Sequence, residues 1–275
     1  MRTALLKTAG CVALAALASC KPGMESTRPA VPDTKETLFQ RGHRLYLGRQ
    51  LDSAASVLRD AYLMDSTYVD PVKDLAAIYY DLGMRGKDGP DTRGLLRTSR
   101  TYFARWESLG ARESEVYERL CELSVSLGDD RAFVKYAARH AALYPYDRQY
   151  YNLGLAYFGV ADYGNVIKTQ KEAVAKFKDS PYVGGFYRQL GRAYMKIDRD
   201  QTAERTLVAG VQAVDARLEG LRSDRPDFKS APEYSRLVDD KIGMLLLLKG
   251  LHQTYQQPDK LEQVERQLRE AGYAK

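Results

Sequence analysis

Three histidines, His43, His140 and His252, are the chain's readiest groups for proton transfer or metal binding, and they lie far apart in sequence. None stands in an HExxH pattern. There is also no CxxC, no GxSxG, and no glycine-rich loop leading to a lysine followed by serine or threonine. Glu115, Glu118 and Glu122 share one helical face at i, i+3 and i+7, where three carboxylates could hold a cation. Without histidine or backbone-loop ligands, such a stripe reads as a solvated face. The chain is therefore read as non-catalytic, with no cofactor and no metal. What remains is recognition chemistry. Arg188 and Arg192 are four residues apart, share a helix face and have no acid at i±3 or i±4 on that helix. They are available to pair a carboxylate, whether of a ligand or of a neighbouring element.

The amino terminus carries chemistry of another kind. "MRTALLKTAGCVALAALASC" has a basic start at Arg2 and Lys7 and an apolar run from Ala9 to Ala18, too short to span a bilayer. It reads as a removable targeting segment, residues 1–19. The run ends in "LASC", Leu17 to Cys20, which resembles the bacterial lipobox. That resemblance implies that Cys20 is acylated and becomes the mature N-terminus. An ordinary signal peptide that happens to contain cysteine is the other reading. Residues 20–34 are polar and contain three prolines, as a flexible tether would. Several acyl chains make attachment effectively permanent, at about 0.8 kcal/mol per buried methylene. Lys21 stands where an aspartate would imply inner-membrane retention, so the resemblance implies the outer membrane, facing the periplasm. With Cys11 removed and Cys20 lipidated, Cys121 is the remaining thiol, and its neighbours Leu120, Leu123 and Val125 make it a small buried residue.

From residue 35 onward the pattern is helix, turn, helix, broken by Gly, Asp and Pro. "YYNLGLAYFGVADY" (150–163) aligns with "YRQLGRAYMKIDRD" (187–200), and the same frame takes in 75–83, 120–128 and, more loosely, 41–50. The small residue of that frame is Gly42, Ala76, Cys121, Gly154 or Gly191, at spacings of 34, 45, 33 and 37 residues. The pattern resembles the tetratricopeptide repeat, whose period is 34 residues. The resemblance covers 35–217 and implies an all-α superhelix of five helix pairs, with 218–275 as a degenerate sixth, capping pair. A loop at 84–94 is expected to account for the long spacing. Gln170 departs from the pattern by replacing a large apolar residue, and Ser124 by replacing an aromatic. Gly154 costs about 1 kcal/mol of helix propensity against alanine. Its absent side chain is expected to let a partner backbone approach.

In each first helix, one residue past the signature positions rotates about 100° to another face, which in this family lines the concave groove. That stripe runs through Phe39, His43 and Tyr46, then Lys73 and Tyr80, then Glu118 and Glu122, then Tyr151 and Phe158, and ends at Arg188 and Arg192. Tyr46, Tyr80 and Tyr151 fill no signature slot. Asn152 is the residue type with which peptide-binding repeats hold a ligand backbone. The expected groove is aromatic along one edge, acidic at the third pair and basic at the fifth, suited to an extended or helical peptide. Plain packing against the next pair is the competing account of the same residues.

The formal charge of +6 reads as scattered among interspersed acids, which argues against nucleic acid as a partner. The combined expectation is a lipid-anchored, non-catalytic adaptor binding envelope proteins or peptides. Polysaccharide binding in the aromatic groove is the alternative.

Overall fold

The computed structural model describes residues 32–86 and 91–273. The targeting segment, Cys20, most of the tether and residues 87–90 of the expected loop lie outside the described residues. Thr34–Lys275 form one compact unit. Among the described residues, that unit has helices and connecting turns and no strand.

Among the described residues, twelve α-helices follow one another as hairpins. The first is α1 (Lys35–Leu47) with α2 (Leu51–Met64), and the second α3 (Val69–Arg85) with α4 (Thr92–Ser108). Then come α5 (Ser114–Leu127) with α6 (Asp130–Leu143) and α7 (Asp147–Gly159) with α8 (Tyr163–Lys176). The fifth is α9 (Val183–Lys196) with α10 (Asp200–Asp224), and the sixth α11 (Pro232–Thr254) with α12 (Pro258–Glu270). Each helix packs on its neighbours in the chain, the stacked-hairpin arrangement of an α-α superhelix. Side chains cap several N-termini: Thr34 with Thr37 in a reciprocal box, Asp129 on the Ala132 amide and Asp162 on the Asn165 amide.

The small residue of the frame is a socket. A Cβ on Gly42 would fall 2.6 Å from Leu58 Cγ, and one on Gly191 2.6 Å from Leu207 Cγ. At the same spacing Gly154 receives Gln170, joined there by Gln189 from the next hairpin. The occupant is thus a side chain, where the sequence suggested a partner backbone. Gln170 is fully buried and donates to the Tyr150 carbonyl at 3.1 Å, which is how a polar residue fills a slot that leucine fills elsewhere. In the second hairpin, Ser99 Oγ donates to the Ala76 carbonyl at 2.9 Å.

The long spacing of the second hairpin is mostly helix. α3 runs to Arg85 and α4 starts at Thr92, so the extra residues lengthen both, to 17 residues each. The polar stretch 221–234 is helical to Asp224 and again from Pro232. The first three hairpins and the last two have extensive leucine-rich cores, whereas the fourth contributes Tyr150 and Ala173 to a small cluster completed by Phe186 of α9. No described helix is long and apolar enough to cross a membrane.

Candidate partner-binding groove

The expected groove stripe lies on α1, α3, α5, α7 and α9, and most of its members are engaged by the fold itself. In the first hairpin His43 Nδ1 lies 2.6 Å from Asp74 Oδ2 of α3, and burial raises that carboxyl above its ordinary range. Phe39 meets Tyr68 edge-on at 5.6 Å between centroids, and Tyr46 is half-buried beside His43. Lys73 is exposed and extends over the Trp106 ring of α4, 5.2 Å from its centroid.

The middle of the array brings together Tyr80, Glu118, Glu122 and Asn152. The Tyr80 hydroxyl donates to Glu122 Oε1 at 2.7 Å and accepts from Arg119 at 2.8 Å. Arg119 bonds Glu122 at 3.0 Å, and its guanidinium sits 4.4 Å from the Tyr80 ring centroid. Glu118 pairs with Arg148 of α7 at 3.6 Å. The third hairpin is therefore not the acidic surface expected, because Arg119 and Arg148 answer its acids. The stripe rule missed Arg119 because it lies one position off the stripe, and Arg148 because it lies one turn before Tyr151, the first stripe member on α7.

Between α5, α6 and α7 lies a cavity of about 580 Å³, lined by Glu118, Glu122, Val125, Arg148, Asn152 and Leu155. His140 and Cys121 also line it. His140 sits 2.8 Å from Ser114 Oγ, and burial holds its imidazole below the ordinary pKa. Burial pushes the Cys121 thiol up to about 12. Val125 leaves 57% of its surface exposed at this cavity. No hydrogen bond within the fold engages the Asn152 side chain among the described residues.

At the far end the expectation is corrected. Arg188 is not free: its Nη2 lies 3.1 Å from Oδ1 of Asp240 on α11, and the stem crosses the face of Gly243. Burial raises the Asp240 carboxyl to about 6, against the pull of Arg188 and Arg236. Arg192 is exposed and stacks 4.4 Å from the Phe158 ring centroid. Tyr151 lies over Gly185, where a Cβ would be 2.5 Å from its ring, and meets Tyr182 at 5.2 Å. Gly185 of α9 thus makes room for a groove tyrosine.

No family model matches the chain, and no curated protein matches it. Among solved structures it is similar to YrrB, described as "a TPR protein with an unusual peptide-binding site", at 12% identity. That likeness covers 68% of this chain and 90% of the other, with a TM-score of 0.48. It is similar to MamA at 17% identity, over 67% of this chain and 94% of that one, with a TM-score of 0.48. Pseudomonas aeruginosa pilF is similar at 15% identity, over 86% and 90% of the two chains, with a TM-score of 0.44.

Proposed function

We propose that the protein is a non-catalytic adaptor, anchored through acylated Cys20 at the outer membrane and facing the periplasm, that holds a peptide segment of an envelope protein partner. The binding element is the cavity between α5, α6 and α7. One observation carries this reading: an amide side chain without an intramolecular hydrogen bond, Asn152, lines an open cavity beside exposed Val125. An asparagine can both donate to and accept from a peptide backbone, and the valine offers apolar contact. The Glu118–Arg148 pair at the rim can reopen toward charges of the ligand.

The polysaccharide reading rested on unexplained tyrosines. Of those tyrosines, Tyr80 has Arg119 and Glu122 as partners within the fold, Tyr151 packs on Gly185 and Tyr182, and Tyr46 lies beside His43.

The test is capture of partners from detergent-solubilised envelopes. Asn152→Ala with Val125→Glu is expected to weaken capture at least tenfold, about 1.4 kcal/mol, at an unchanged melting temperature. Undiminished capture by a folded double variant overturns the site. The anchor is tested separately: Cys20→Ser abolishes labelling by a fatty-acid analogue, and persistent labelling overturns acylation at that residue.

A further inference from the structure

The charges that look scattered in sequence are sorted by helix. The second helices of the middle three hairpins, α4, α6 and α8, carry ten basic and three acidic residues. Their first helices, α3, α5 and α7, carry four basic and seven acidic. The acids on the basic side are also largely spent, since Glu107 is buried against Arg139 and Glu172 is bonded by Lys176. Arg97, Arg131, Lys135, Lys168 and Lys171 are all exposed, and none has an ion-pair partner within 4 Å among the described residues. Arg131, Lys135 and Arg139 recur every fourth residue and so lie along one face of α6. The flanking second helices, α2 and α10, carry more acidic than basic residues, two against one and five against three, so the basic surface is bounded.

We infer that the face formed by α4, α6 and α8 docks on the surface of an anionic phospholipid bilayer. The inference rests on the reading of Cys20 as a lipid anchor, which is what makes a bilayer the polyanion nearest to hand. The 15 residues from Cys20 to Thr34 reach at most about 50 Å when extended. The anchor therefore holds the basic face at high effective concentration over the headgroups, and a modest attraction per cation suffices for docking. Docked this way, α5 and α7 keep their cavity uncovered for a partner.

The chain from Lys21 onward contains the whole compact unit and lacks any acyl group, so it tests the face without the anchor. Co-sedimentation with phosphatidylglycerol–phosphatidylcholine vesicles is compared with pure phosphatidylcholine vesicles. Binding is expected on the anionic vesicles alone, and to vanish in salt that shortens the Debye length to about 3 Å. Reversing Arg97, Arg131, Lys135 and Lys171 to glutamate is expected to lower the partition coefficient at least tenfold. A charge-matched control reverses Arg44, Lys196, Arg266 and Arg269, which lie off this face, and is expected to lose less than threefold. Glutamine replaces glutamate at the four positions if circular dichroism shows that the reversed chain is unfolded. Equal losses in both variants, equal binding to neutral vesicles, or binding to DNA without binding to vesicles each overturn the inference. Partner capture by the cavity is a separate assay, so failure here leaves the adaptor reading standing.

Discussion

Arg188 on α9 and Asp240 on α11 meet at 3.1 Å, and the pair ties the fifth hairpin to the sixth through a carboxylate that is almost wholly buried. The two adjacent arginines of α9 therefore differ in kind. Removing the partner of a buried charge costs about 3–5 kcal/mol, whereas an exposed cation on an aromatic face contributes about 0.5–1 kcal/mol. Arg188→Ala should lower the melting temperature sharply, and Arg192→Ala should barely move it. Equal effects in thermal melts would refute the distinction.

Asp240 also gives stability a pH dependence of unusual sign for a carboxylate. Its folded pKa, about 6, lies above the unfolded value, because burial penalises the charged form more than Arg188 and Arg236 favour it. The native state thus binds the proton more tightly, and its contribution to stability declines as pH rises from about 4 through 6. Denaturant melts of wild type and Asp240→Asn should diverge by roughly 3 kcal/mol between pH 4 and 7, in wild type's favour at the acid end. A difference that is flat with pH would place the ionised carboxylate in a well-compensated site.

Gln170 occupies a slot that Leu58 and Leu207 fill in the first and fifth hairpins. Its Oε1 is buried without a partner among the described residues, as are those of Gln149 and Gln189. Gln170→Leu should therefore stabilise the fold by about 1 kcal/mol, since a buried orphan acceptor costs about 1–3 kcal/mol. Gly154→Leu should destabilise it by roughly 1–3 kcal/mol, because the socket is already full. Chemical denaturation of the two variants decides both signs.

The hairpin turns share one backbone device. Arg49, Gly128, Ala161, Asp198 and Gln256 all have positive φ, one in each hairpin except the second. Only Gly128 is a glycine. Ala161→Gly should raise stability by about 1 kcal/mol, relieving the left-handed strain of an L-residue, and a lowered midpoint would contradict this.

The helical frame was legible because its signal is periodic: apolar positions and a small residue recur in every first helix, with a tyrosine three residues on in the second, fourth and fifth. The socket role of Gly154 was legible too, but its occupant was not, since no sequence rule places two glutamines in an apolar slot. The left-handed turns were hidden because four of the five lack glycine. Arg188 misled for a physical reason. Its partner lies more than 50 residues downstream, on another hairpin, beyond any i±4 argument. The sorting of charge by helix was equally invisible in a linear count, because the acidic and basic helices alternate along the chain.

The three glutamines with orphan oxygens cluster about α7, where the fourth hairpin has the thinnest apolar core. In a linear array, stability is a sum of unit terms and nearest-neighbour couplings, and cooperativity fails first at the weakest coupling. The junction of α6 with α7 is thus a fault line between two folding blocks, residues 35–143 before it and 147–270 after it. Urea would melt the array in two steps, and fluorescence of the single tryptophan, Trp106, would report the first block alone.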